Sequence, residues 1–163
     1  MRESARPVRR IISGGQTGAD RGALDAAIEL GIAHGGHCPA GRRAEDGRIP
    51  ERFRLVETSS SDYAVRTERN VLDADATLLV TRGNPTGGSA LTAALARKHG
   101  RPLLLLDLES QGDPAGAVRE WLRAGGISGC LNVAGPRESS CPGIAQDVRA
   151  LLVTALRGDR RGD

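Results

Sequence analysis

The segment Ser13-Gly14-Gly15-Gln16-Thr17-Gly18-Ala19-Asp20 gathers glycines, a carboxamide, two hydroxyls and a carboxylate into eight consecutive residues. Glycines let backbone approach a ligand with its amides free, and amides presented at the start of a helix favour an anion. The segment is not a Walker A loop, because no Gly-Lys-Ser/Thr follows. It also misses the dinucleotide fingerprint, since Ser13 occupies the first glycine position. No acid ends the second expected strand, which disfavours an ordinary NAD site. Asp20 complements the dipole of the helix it opens. It would repel a phosphate placed directly there unless Arg21 compensates, and a ribose hydroxyl or a metal suits it better. The same residues also suit a purely structural turn with a capping box from Thr17 to Asp20.

Two further loops repeat the logic. Asn84, Thr86, Gly87, Gly88 and Ser89 follow an apolar run, and Asn132, Gly135, Arg137 and Glu138 follow another; the guanidinium of Arg137 can grip a phosphate or carboxylate bidentately. Convergence of the three loops would make one anion-binding crevice, to which the first contributes Gly14, Gly15, Gln16, Thr17, Gly18, Asp20 and Arg21. Tyr63, Arg66, Thr67 and Asn70 lie at helical spacing, so Arg66 and Asn70 share a face that points into that crevice or into water. Glu45, Asp46 and Arg48 stand in a polar stretch of the kind that is usually solvated. The His34, His37, Cys38 group lacks the second ligand pair of a zinc site, and no metal is expected. Ser13, Ser89, Cys130 and Cys141 have no histidine signature beside them, so no nucleophile and base can be assembled. Asp20 and Glu138 are the candidate catalytic acids if any reaction occurs, and the balance leans toward binding without catalysis.

These loops need strands and helices to hold them. Short β-branched or Leu-rich runs alternate with amphipathic stretches, and Gly-rich turns join them. Strands are expected at Val8 to Ser13, His34 to Pro39, Arg54 to Glu57, Ala76 to Thr81, Leu103 to Leu106 and Cys130 to Val133. Helices are expected over Ala19 to Leu30, Tyr63 to Asp73, Ser89 to His99 and Pro114 to Arg123, with a last one ending near Leu156. Ala40 to Arg52 is expected to be a long loop. The alternation predicts an α/β fold: an open, mostly parallel sheet covered by helices on both faces, with ligands beyond the carboxyl ends of its strands. One domain over residues 8–157 is expected, with a basic tail at 1–10 and a disordered tail at 158–163.

The chain has 163 residues and a formal net charge of +3. Four arginines and one glutamate fall in the first ten residues, and three arginines with two acids close the chain, so the body between carries −1. That argues against a broad basic face for nucleic acid. Phe53, Tyr63 and Trp121 are too few for a base-stacking platform. No apolar run reaches the roughly 18 residues of a membrane span, and the basic start lacks the apolar region of a secretory signal. A soluble cytoplasmic protein with three reduced cysteines is expected.

The run Ile12-Ser13-Gly14-Gly15-Gln16-Thr17-Gly18-Ala19-Asp20-Arg21-Gly22-Ala23-Leu24-Asp25 resembles the opening motif of the molybdenum-carrier family, within the SLOG superfamily of Rossmann-like proteins. The Lonely Guy cytokinin-activating and DprA-like proteins belong to the same superfamily. The likeness continues through Cys38-Pro39, Glu45-Asp46-Gly47, Tyr63, Arg66-Thr67, Asn70-Val71, Asp75, Thr86-Gly87-Gly88-Ser89 and Leu131 to Ser139. It implies a single Rossmann-like domain, self-association into dimers or tetramers, and a ligand site at the glycine loops. It also implies a phosphorylated, nucleotide-like ligand, with molybdenum cofactor, a pterin carrying a phosphate, as the named candidate. Some SLOG proteins hydrolyse the N-glycosidic bond of nucleoside monophosphates. Gly87-Gly88-Ser89-Ala90-Leu91-Thr92-Ala93-Ala94 departs from the Gly-Gly-x-Gly-Thr-x-x-Glu pattern that carries the Lonely Guy catalytic glutamate. Three readings follow: a small-molecule binding protein, an N-glycosidic hydrolase, and an oligomeric interaction module.

Overall fold

The computed structural model describes residues 8–157; residues 1–7 of the expected basic tail and the expected tail at 158–163 lie outside them. In chain order the elements are β1 (Val8–Ile12), α1 (Ala19–Leu30), β2 (Ala33–Gly35), β3 (His37–Cys38), a 3-10 turn (Ala40–Arg42), β4 (Arg43–Ala44), β5 (Gly47–Arg48) and β6 (Val56–Glu57). There follow α2 (Tyr63–Asp73), β7 (Ala76–Thr81), α3 (Gly87–Lys98), β8 (Leu103–Asp107), α4 (Pro114–Ala124), β9 (Gly129–Ala134) and α5 (Ile144–Leu156).

Local chemistry sets these boundaries. Asp62 caps α2 by accepting from the Ala64 N–H at 2.9 Å, and Asp113 caps α4 at the Gly116 N–H with Pro114 in the first turn. α1 ends where Gly31 turns left-handed and returns its N–H to the preceding carbonyls.

Five strands form one parallel sheet in the order β2-β1-β9-β7-β8. The last strand in sequence is central in space. Counting from β9, then β1, β2, β7 and β8, the order becomes 3-2-1-4-5, that of a doubly wound sheet whose first strand has moved to the end of the chain. The two faces of the sheet differ. Ala76, Leu78 and Val80 of β7, with Leu131 and Val133 of β9, pack into an aliphatic core with α1, α4 and α5. The alternate residues Thr77 and Asn132 meet on the face toward α2 and α3, where the Asn132 side-chain amide donates to Thr77 Oγ1 at 3.2 Å. A polar layer therefore lies beneath the site.

The stretch Ala40 to Arg52 is more than a solvated loop. β4 and β5 pair as a small antiparallel hairpin, and Ala44, Ile49 and Phe53 make a second core with Leu24 and Cys38. Arg42 pins it: buried, with a positive φ of 54°, its guanidinium donates to the carbonyls of Ile49, Pro50 and Phe53. The stretch has too few apolar residues for any periodicity, and one arginine supplies the order instead.

The strand expected over His34 to Pro39 breaks at Gly36, where a Cβ would stand 2.4 Å from the Ser13 carbonyl oxygen. Its first half joins the main sheet. Its second half pairs with β6, which is shorter than the Arg54 to Glu57 run expected and lies outside the central sheet. Among the described residues no helix is long and apolar enough to cross a membrane.

Candidate functional site

The loops after β1, β7 and β9 leave the same end of the sheet and enclose a cavity of about 310 Å³. That is the lower end of the size range of small-molecule sites. Gly14, Gln16 and Asp20 enter from the first loop and α1, and Arg66, Thr67 and Asn70 from α2. Thr86, Gly87, Gly88, Ser89 and Thr92 enter from the start of α3, and Asn132, Gly135 and Arg137 from β9 and its loop.

The three loops run into α1, α3 and α5, and the N-termini of α1 and α5 are already satisfied. At α1 the Ala19 N–H donates to the Pro136 carbonyl at 3.1 Å, and Asp20 fills the first turn. At α5 Glu138 takes the Gly143 N–H at 2.6 Å on one oxygen and the Ala145 N–H at 3.1 Å on the other. α3 differs: Thr86 precedes it without a side-chain cap, and nothing stands within 4 Å of where a Cβ on Gly87 or Gly88 would project. Its first amides open on the cavity with the positive end of the helix dipole behind them.

Gln16 adds a second donor. Its Oε1 accepts from the N–H groups of Thr17 at 3.1 Å and Glu45 at 2.9 Å, and two donors on one atom fix which end of the carboxamide is oxygen. The Nε2 group is buried and has no hydrogen-bond partner among the described residues. A buried unpaired N–H₂ costs about 1–3 kcal/mol, which a ligand acceptor would recover.

The positive charge comes from Arg66. Its Nη1 donates to the Gly14 carbonyl at 2.9 Å and lies 3.9 Å from Asp20 Oδ2; only the absence of a Cβ on Gly14 admits it so close. Asp20 is buried, and burial pushes its carboxyl above the usual aspartate range against the Arg66 charge and the amides of Gln16 and Gly14. Asp20 Oδ2 accepts the Gln16 N–H at 3.2 Å, so the loop folds back on its own helix. This replaces the capping box: α1 starts at Gly18 with no side-chain cap, and the Thr17 hydroxyl is turned to Glu45 and to the Glu138 N–H.

Several residues expected at the ligand lie elsewhere. Arg21 forms a two-pronged pair with Asp46 at 2.6 and 2.8 Å and donates to the Gly15 carbonyl. Gly15 packs under Leu55 and Ile49, and Gly18 against the backbone of Pro136 to Glu138. Thr17 and Glu138 make the contacts already described, and Asn84 is exposed, away from the lining. Asn70 lines the cavity while bracing β3, accepting from and donating to the backbone of His37. The three-residue cluster also separates: His34 Nε2 accepts the Arg54 N–H, whereas His37 pairs with Asp73.

Thr92, buried one turn beyond Ser89, was not singled out from the sequence, although the i, i+3 spacing on α3 places it on the same face. Of the two serines that follow Glu138, Ser140 lines the cavity, and the other is Ser139. It donates twice to Glu45, a contact between loops that no spacing reveals.

Residues 11–156 match the circularly permutated YpsA SLOG family. A crystal structure from Syntrophus aciditrophicus SB, of a "Putative molybdenum carrier protein", superimposes with a TM-score of 0.90 at 45% identity, covering 94% of this chain and 98% of that one. None of the curated proteins compared matches the chain. The central position of the last strand is what moving the first strand of a doubly wound sheet to the chain's end produces. With nearly the whole described chain matched, the protein belongs to the circularly permutated YpsA SLOG family.

Proposed function

We propose that this protein binds a phosphorylated, nucleotide-like small molecule in the cavity above β1, β7 and β9, with molybdenum cofactor as the leading candidate. One observation carries the reading: the uncapped start of α3 shares its cavity with the buried, unpaired Gln16 amide. The phosphate lies at the amides of Gly87 and Gly88, with Arg66 supplying a counter-charge. Gln16 Nε2, Asn132 and Ser89 offer polar contacts to the remainder. The donor set suits molybdenum cofactor, because a terminal phosphate needs amides and a cation while a pterin ring needs neutral polar partners. The description of the Syntrophus aciditrophicus protein as a molybdenum carrier supports the same candidate.

A thermal-shift and calorimetry panel of AMP, ADP-ribose, NAD, molybdate and molybdenum cofactor tests this. A true ligand at about 100 times its Kd stabilises by roughly 2.7 kcal/mol. Binding of the pterin cofactor alone supports carriage, and failure of every compound removes the proposal.

Asp20 favours a second reading, cleavage of an N-glycosidic bond. Asp20 is a buried carboxyl at the cavity wall that burial pushes upward, and a carboxyl so placed is a candidate general acid toward a leaving base. Glu138 has no such opening, since both its oxygens serve α5. Release of free base from a nucleoside monophosphate panel, abolished by Asp20→Asn, would establish this reading.

A further inference from the structure

The amides of α3 leave Arg137, which also lines the cavity, without a role. Three guanidinium groups gather around one ring: Arg43, Arg66 and Arg137 lie 4.3, 5.3 and 5.8 Å from the centroid of Tyr63. Like charges repel, and the ring's negative face offsets only part of that cost.

Most nearby arginines have partners that account for them. Arg21 is paired with Asp46, Arg43 donates from Nε and Nη2 to the Ser61 carbonyl, and Arg66 is held by the Gly14 carbonyl and Thr67 Oγ1. Arg137 has no side-chain hydrogen bond among the described residues. Its nearest carboxylate oxygen is Glu45 Oε1 at 3.8 Å. Glu45 is already engaged, accepting from Thr17 Oγ1 and from both the N–H and the hydroxyl of Ser139. Arg137 thus lines the cavity, is 42% exposed at its side chain, and is held by that 3.8 Å ion pair with Glu45, its five donors making no hydrogen bond among the described residues.

We infer that Arg137 and Arg66 form a second anion subsite at the Tyr63 rim, so that the ligand carries two anionic groups, one at the α3 amides and one at this rim. This rests on the reading that the first group sits at α3. The ligand class narrows to diphosphates and to phosphorylated compounds with a second oxyanion. A nucleoside monophosphate, with its one phosphate group, fills only half the site. Arg66 borders both subsites and is anchored in place by backbone; Arg137, held by no hydrogen bond of its side chain among the described residues, can turn from Glu45 onto an arriving oxyanion in the planar two-pronged way such recognition requires.

Inorganic phosphate, pyrophosphate and tripolyphosphate, titrated calorimetrically into the full chain, read the two subsites without assuming an organic part. Wild type binds tripolyphosphate at least about tenfold tighter than phosphate. Arg137→Gln removes that gain, chiefly by weakening tripolyphosphate, whereas Gly88→Val weakens phosphate itself. Arg48→Ala, on an exposed arginine paired with Glu51, controls for net charge. Arg137→Glu, measured alongside thermal stability, guards against a fold defect in a single variant. Affinity independent of chain length, or equal losses for all three anions in Arg137→Gln, overturns the second subsite and leaves the α3 site standing. Tripolyphosphate binding that depends on Arg137 while Gly88→Val changes nothing keeps the rim and overturns α3. No binding of any of the three overturns both.

Discussion

The carboxylate of Glu45 accepts hydrogen bonds from the backbone N–H of Ser139 at 3.2 Å and from its hydroxyl at 2.5 Å, across 94 residues of sequence. Thr17 Oγ1 donates to the same carboxylate, and the Glu45 N–H returns to Gln16 Oε1. One acid on the β4–β5 hairpin therefore ties the loop after β1 to the loop after β9. The hydroxyl of Ser139 first, then that of Thr17, holds its carboxyl below the ordinary value of 4.5.

That depression has a pH consequence. A carboxyl whose folded pKa is lowered contributes stability that is present above its unfolded value and lost as pH falls through the folded one. Denaturant unfolding between about pH 6 and about pH 3 is expected to show stability falling with acidity. Glu45→Gln flattens part of that slope, while Asp46, Glu51, Glu68 and Asp107 keep their own contributions through lowered carboxyls. An unchanged slope in Glu45→Gln would show that ionisation of Glu45 is not linked to folding.

Arg66 and Asp20 make a second pair that can be tested alone. Burial raises the Asp20 carboxyl, and Arg66 is the largest influence opposing it, with Arg21 the smallest. Arg66→Gln is expected to raise the Asp20 pKa further, and Arg21→Gln to move it less. Carbon-13 NMR titration of the labelled carboxyl resolves the order, and a larger shift in Arg21→Gln would contradict the geometry.

The glycines divide into those that make room for protein and those that leave room for something else. A Cβ on Gly135 would meet the Val80 carbonyl oxygen at 2.4 Å, so Gly135→Ala is expected to cost about 1–3 kcal/mol in urea unfolding. Gly88 meets nothing within 4 Å and lies in a helix, so Gly88→Ala is expected to stabilise by up to about 1 kcal/mol. A loss of stability in Gly88→Ala would mean that the start of α3 is packed rather than open.

Glu138 is expected to behave as a cap. Glu138→Gln removes the charge that α5 faces and should cost about 1 kcal/mol, with ligand affinity changed by less than about twofold. Calorimetry and unfolding on the same preparation separate the two effects, and a large affinity loss at unchanged stability would return Glu138 to the site.

Most of the architecture is legible in the residues themselves. Helices α1 and α2 and strand β7 have the bounds that periodicity and capping predict, because Gly31, Asp62 and the apolar run Ala76 to Val80 act locally. Sequence also located the three glycine-bearing loops at strand ends, since parallel strands need crossovers and crossovers put their loops at one end of the sheet. Helical spacing puts Arg66 and Asn70 on one face, a local property, and the structure turns that face to the cavity.

Residue type and spacing thus set the elements and the chemistry available at their ends. Tertiary structure alone decided which amides remain open. Gly18, Gly87 and Gly143 each stand at or beside the start of a helix, yet Pro136 occupies α1, Glu138 occupies α5, and α3 is left uncapped. The same holds for charge. Arg21 and Arg137 each lie close after a glycine in the sequence, and the tertiary structure gives Arg21 a two-pronged pair with Asp46 while leaving Arg137 a single 3.8 Å ion pair with the already engaged Glu45. A donor's availability depends on what packs against it from distant parts of the chain, and residue type and spacing do not encode that.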